Sequence, residues 1–190
     1  ISMKFRLGNM SAEYDYFTAD ITRTWPINGH FSAPQRYIHD IVLEAQQTGI
    51  QLAKPGATLD EIHYGVLGVL VRGLIESNIL SGAIDELIEK REYQEFYMHS
   101  TSHWLGMDVH DVGDYRNQKK AITLEEGMCF TVEPGLYLSA ENHKISEEFR
   151  GIGIRIEDNI LITNDGYVNL SKNIPSSAEK LEELVGSAIN

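Results

Sequence analysis

The segment HSTSHWLGMDVHDVG, residues 99–113, sets His99, His103 and His110 among aspartates, glycines and a tryptophan, more titratable chemistry than a solvated loop needs. Carboxylates recur elsewhere in apolar, strand-like settings: Asp20 in TADITRT, Glu133 in TVEPG and Glu157 in RIEDN. Burying a carboxylate without a partner costs several kcal/mol, so these groups share a core only if something positive lies among them. A divalent cation meets that need. Three carboxylates with one imidazole form a hard, oxygen-dominated set that suits Mn²⁺, Mg²⁺, Co²⁺ or Fe²⁺ and, less selectively, Zn²⁺. Each residue also has a plain structural reading. Asp20 could pair with Arg23, Glu157 could pair with Arg155, and His103 could be a satisfied core histidine.

Other chemistries fall away. The sequence has no HExxH, no GxxxxGK[ST], no EF-hand loop and no CxxC, and GIGIRI at 151–156 lacks the third glycine of a dinucleotide fingerprint. The single cysteine, Cys129, lies in the apolar run MCFTV and reads as a buried structural thiol in a reducing compartment. A formal charge of -12 repels phosphate backbones and anionic lipid, so neither nucleic acid nor a membrane surface is an expected partner. The longest apolar run, VLGVLV at 66–71, is far short of the roughly 20 residues a membrane helix needs. With no charged-then-apolar leader, the expected location is cytoplasmic. At 190 residues, 42% hydrophobic and 23% charged, residues 1–190 are expected to form a single globular domain.

The elements that must position these groups are legible in outline. EYDYFTADITRTW, residues 13–25, alternates like extended strand, with a bent pair as one form of it. Ser32 and Pro34 open an amphipathic helix that runs to KPG, and the capping box Thr58…Glu61 opens a second that runs to about Ser77. Residues 83–96 read as a short helix or covering loop. MCFTVEPGLYL reads as strand and turn, GIGIRIEDNILIT as a long strand or bent pair, NDG at 164–166 as a hairpin turn, and Ser176 with Glu179 as the cap of a closing helix. This order predicts an α+β fold with helices on one face of a mainly antiparallel sheet.

Four blocks in order, DITRTWPINGHFSAPQ, HSTSHWLGMDVHDVG, EEGMCFTVEPGLY and GIGIRIEDNILIT, resemble the catalytic domain of Xaa-Pro aminopeptidases (aminopeptidase P), of the pita-bread metallopeptidase fold. The likeness runs from about Met10 to about Leu170 and is closer to that branch than to prolidase or methionine aminopeptidase. It implies a curved sheet and two divalent ions, usually Mn²⁺, with Co²⁺ or Zn²⁺ as substitutes, held by two aspartates, one histidine and two glutamates. By the same resemblance Asp20, His103, Glu133 and Glu157 are ligands. His110 and His99 face the substrate as donors, Arg155 orients ligands, and Glu133 shuttles a proton during hydrolysis of the bond before proline. Trp104 reads as packing.

The pattern departs from the family in two places. Eleven residues before Asp20, where the family has its first aspartate, stands Asn9, whose neutral amide oxygen is a weaker ligand. The family's amino-terminal domain and the first half of its pita-bread domain have no counterpart, so a truncated sheet with an open edge is expected, covered by a homo-oligomer or a complementing chain. Two functions follow from the resemblance: a metallo-aminopeptidase acting on peptides with proline second, or a silent pseudopeptidase serving as a binding or scaffold module. A creatinase-like, metal-independent hydrolase ranks below both, because such relatives do not keep this carboxylate set.

Overall fold

The structure, a computed structural model, describes residues 5–187. It opens with β1 (Phe5–Met10), β2 (Glu13–Tyr14), β3 (Phe17–Thr18) and β4 (Ile21–Pro26). The stretch expected as one strand or a bent pair over 13–25 is instead a short hairpin, β2–β3, followed by a third strand, β4. Asp15 and Tyr16, with φ of 49° and 70°, close a two-residue turn between β2 and β3 whose twist matches the flanking strands. β1 returns antiparallel onto β4, with Asn9 opposite Thr22.

Two long helices follow. α1 (Ala33–Leu52) starts where Pro34 loses nothing by lacking an N–H, and Gln35 Oε1 accepts the Ser32 amide at 2.9 Å. α2 (Leu59–Glu76) carries the full capping box: the Glu61 amide donates to Thr58 Oγ1 at 3.1 Å and the Thr58 amide to Glu61 Oε2 at 2.7 Å. The pair packs closely because Gly73 has no side chain; a Cβ there would stand 2.7 Å from Ile41. The segment expected as a short helix or loop holds α3 (Ile84–Glu89) and one turn of tighter helix, Glu92–Glu95.

The remaining strands are β5 (Arg116–Asn117), β6 (Lys120–Ala121), β7 (Cys129–Val132), β8 (Gly135–Tyr137), β9 (Gly153–Arg155), β10 (Asp158–Thr163) and β11 (Gly166–Asn169), with α4 (Ala178–Ser187) closing the chain. GIGIRIEDNILIT is a bent pair, broken at Ile156 and Glu157: β9 runs beside β8, while β10 lies between β7 and β11. NDG is the expected tight hairpin, with Thr163 opposite Gly166. The cap of α4 is Ser177 and not Ser176. α4 begins at Ala178, and the Ser177 hydroxyl accepts the amide of Lys180 in its first turn at 3.4 Å.

The architecture is α+β. α1 lies over β7, β8 and β9, and all strand pairs among the described residues are antiparallel. The sheet is not one continuous ladder but a three-stranded and several two-stranded pieces joined by bridges such as Thr22 to Glu157. The core lies in two apolar clusters. One lies between the helices and β8–β9, around Ile38, Val42, Leu70, Leu136 and Ile154. The other joins Ile50 and Ile62 to Phe130, Val132 and Ile160. Among the described residues no helix is long and apolar enough to cross a membrane.

Candidate metal centre

The breaks between strands build the site. Asp20 stands between β3 and β4, Glu133 at the Val132–Pro134 bend between β7 and β8, and Glu157 at the break between β9 and β10. That bend needs Gly135: a Cβ there would meet the Ile154 carbonyl oxygen at 2.9 Å. His103 lies in the loop that runs beside β7, where the Thr131 amide donates to its carbonyl at 3.0 Å. All four residues line one cavity of about 670 Å³.

Three of the four candidate residues, Asp20, His103 and Glu157, are held in place by hydrogen bonds. Asn159 holds both sides of the Asp20 backbone, its Oδ1 accepting the Asp20 amide at 3.1 Å and its Nδ2 donating to the Asp20 carbonyl. Thr22 donates its hydroxyl to Glu157 Oε2 and accepts from Arg155 Nε at 3.2 Å. His103 Nδ1 donates to the Trp104 carbonyl at 3.0 Å, which leaves Nε2 as the unprotonated nitrogen.

The electrostatics and the unpartnered atoms suit a cation. Burial lowers the pKa of His103, so its ring is neutral near pH 7. Its Nε2 sits 3.5 Å from Asp20 Oδ2 and 3.4 Å from Glu133 Oε1. Asp20 Oδ1, His103 Nε2 and Glu157 Oε1 are buried without a hydrogen-bond partner among the described residues. Burial, reinforced by the charge of Glu157, pushes Glu133 up to about 8, and burial likewise raises Glu157. Ligand atoms of His103, Glu133 and Glu157 all lie within 4.8 Å of one another, as do those of Asp20, His103 and His110. Convergent, unpartnered oxygen and imidazole atoms are the donor set of a divalent ion, so the residues fit one.

The structural alternatives resolve individually. Arg23 does not pair with Asp20; its guanidinium reaches Asp158 at 2.7 Å, both groups buried. His110 stacks on His103 with ring centroids 4.0 Å apart. His99 lines the cavity with both ring nitrogens engaged, Nδ1 with the Ser100 carbonyl at 2.9 Å and Nε2 with the Tyr137 hydroxyl at 2.8 Å. Trp104 packs against Tyr115 and Phe130. Cys129 is half-buried, and burial pushes its thiol up. Asn9 stands on the cavity wall.

Residues 5–164 match the model of metallopeptidase family M24. The chain belongs to this family. The Xaa-Pro aminopeptidase of Escherichia coli is 47% identical over 93% of the chain, and that of Haemophilus influenzae 46% over 91%, each match covering 40% of the relative. Pseudomonas aeruginosa aminopeptidase PepP superposes with a TM-score of 0.95 at 41% identity, over 97% of this chain and 42% of that one. A zinc-substituted Escherichia coli aminopeptidase P in complex with product gives 0.92 at 45% identity, over 97% and 41%. The fold is therefore the pita-bread fold of those enzymes, and this M24 chain spans about two-fifths of the length of the relatives it matches.

Reading along the sequence missed His63, Asp60 and Tyr115, which also line the cavity, and Asn159, which seats Asp20. His63 and Asp60 are disguised as ordinary positions of an amphipathic helix, and Asn159 as one polar residue in a strand. Nothing in their local sequence sets them apart.

Proposed function

We propose that this chain is the carboxy-terminal half of a pita-bread catalytic domain that hydrolyses the bond between an amino-terminal residue and proline. The observation that carries the reading is the meeting of Asp20, His103, Glu133 and Glu157 around buried, unpartnered atoms of the kind a divalent cation binds. The relatives named Xaa-Pro aminopeptidase supply the substrate class, a peptide with proline second.

A divalent ion bound there would supply a Lewis acid and a nucleophilic water at neutral pH. We assign it as Mn²⁺, with Co²⁺ or Zn²⁺ able to substitute. Asp20, His103, Glu133 and Glu157 would hold one ion tightly, while Asn9, an amide, would support a second only weakly. Glu133 would take a proton from the attacking water on its carboxylate and return it to the leaving nitrogen. His110, stacked on His103, would donate to the carbonyl under attack. His99 would form the wall beside it, but not as the donor the sequence suggested: its Nδ1 hydrogen is on the Ser100 carbonyl, so Nε2 is an acceptor, now facing the Tyr137 hydroxyl. Arg155, through Thr22, would fix the angle of Glu157.

Among the described residues β1 pairs only with β4, and Leu7, Met10, Tyr14 and Phe17 are exposed around that edge. A second copy or a complementing segment would cover it. The lone thiol suits a reducing, cytoplasmic setting. The test is calorimetric titration of the metal-stripped chain with Mn²⁺, followed by assay on Ala-Pro-Ala beside Ala-Ala-Ala. The reading requires at least one tightly bound ion and preferential release of alanine from the proline peptide. Failure to bind any ion would sink it.

A further inference from the structure

Two cavities meet at the amino-terminal end of α2. The one that holds the carboxylates and a second groove of about 780 Å³, between α2 and residues 84–94, share Asp60 and His63. The second groove is floored by Leu67, Ile84 and Ile88 and edged by Tyr64 and Arg91. A chain leaving the carboxylate cluster past His63 therefore enters a trough with apolar footing.

His63 is held in one orientation and one tautomer. Its Nδ1 lies 2.7 Å from Thr101 Oγ1, which lies 2.9 Å from the hydroxyl of Tyr97. Tyr97 is fully buried, and Thr101 is the hydrogen-bond partner of its phenol, so the phenol hydrogen is spent there. The Thr101 hydroxyl then gives its own hydrogen to His63 Nδ1, the one arrangement that uses both hydroxyl hydrogens. His63 Nε2 is left as an N–H on the far side of the ring. Asp60, the nearby carboxylate, pairs with Arg116 at 2.6 Å through Oδ2.

We propose that His63 is a substrate-contacting residue that donates from Nε2 to a backbone carbonyl beyond the first residue after the bond cut, one that a dipeptide product lacks, and that the groove beyond it takes the following residues. The inference rests on the peptidase reading above but not on the preference for proline. Longer peptides are then held better than short ones, and the selection is made by one hydrogen bond and the apolar floor behind it.

The probes are Pro-Ala and Pro-Ala-Ala-Ala, which begin with proline and so contain no bond of the proposed kind, with Ala-Ala-Ala-Ala as control. Each is titrated calorimetrically into the Mn²⁺-loaded chain. The four-residue proline peptide is expected to bind about tenfold more tightly than the dipeptide. His63→Leu should erase that gap without weakening the dipeptide, and His63→Gln, which presents an amide N–H near the place of Nε2, should restore most of it. No gap in the unaltered chain, a gap that survives His63→Leu, or no binding of any peptide would overturn the proposal. Equal affinity for the two four-residue peptides, with the gap between long and short intact, would sink the proline preference and leave the role of His63 standing.

Discussion

The imidazole of His103 is fixed by the carbonyl oxygen of the very next residue: its Nδ1 donates to Trp104 at 3.0 Å, and its Nε2 is thereby turned, unprotonated, onto Asp20 and Glu133. In the metal-free chain the raised Glu133 carboxyl keeps its proton beside this neutral nitrogen, whereas a cation between the three groups would take the lone pair and the two deprotonated carboxylates together. His103→Ala removes the only imidazole of the Asp20, His103, Glu133 and Glu157 set. Loss of an outer partner of a ligand costs about 10–100-fold in metal affinity, and loss of a ligand itself should reach at least the upper end of that range. Mn²⁺ affinity measured by calorimetry is expected to fall accordingly, and an unchanged value would remove His103 from the ligand set.

Asn9 lies opposite Thr22 in the β1–β4 pair and lines the same cavity as the four proposed ligands. Its oxygen carries no charge. Asn9→Asp should raise the number of tightly bound Mn²⁺ ions per chain, counted by elemental analysis after gel filtration. A stoichiometry that stays the same would show that this wall position does not address a second ion.

The raised carboxyl groups make the stability of the metal-free chain depend on pH with a definite sign. Glu133 moves from an ordinary value of 4.5 to about 8 on burial, and Glu157 moves the same way. The folded chain then holds more protons than the unfolded one in that window, so stability from this source is complete below the unfolded value and is lost as pH rises toward 8. Histidines oppose it lower down. Burial lowers His39, His63, His99 and His103 from 6.5, so their contribution is present above 6.5 and is lost as pH falls below it. The melting temperature of the metal-free chain should therefore rise as pH is lowered from 8 to about 6.5. With saturating Mn²⁺ the slope should reverse, because the ion requires the carboxylates deprotonated. Parallel slopes in the two states would show that these carboxylates are not the groups the ion engages.

How much of this could be read along the chain follows from what a sequence records. The caps Thr58…Glu61 and Ser32–Pro34 and the apolar stripes of α1 and α2 are local, and they foretold both helices. The four ligand candidates stood out because each charge interrupts an apolar run. The alternative pairing of Asp20 with Arg23 was equally plausible from spacing, and only the fold shows Arg23 turned instead to Asp158, 135 residues along the chain. Asn159 reaches Asp20 across 139 residues, and the His63–Thr101 contact spans 38. Proximity of that kind is made by the curvature of the sheet and leaves no mark on local composition. The closing helix missed its cap by one residue because Ser176 and Ser177 are chemically identical and only the amide of Lys180 distinguishes them.

Arg23 supports the site without entering it. Besides Asp158 at 2.7 Å, its guanidinium donates to the carbonyls of Pro175, Ile174, Thr22 and Glu157, tying β4 to the start of β10 and to the segment before α4. Removing one partner of a buried pair leaves the other charge uncompensated and costs about 3–5 kcal/mol, whereas replacing both by apolar groups is often close to neutral. For a chain of this size, each kcal/mol shifts the melting temperature by about 2–4 °C. Arg23→Met should therefore lower it by roughly 10 °C, measured by circular dichroism in the metal-free chain. Combining it with Asp158→Leu should recover part of that loss, although the Asn169 amide that donates to Asp158 Oδ2 at 2.8 Å would then lack its acceptor. Because Glu157 and Asp158 are adjacent at the mouth of β10, the single variant should also weaken Mn²⁺ binding. If Arg23→Met melted with the unaltered chain, the pair would be shown to contribute nothing to the frame that holds Glu157.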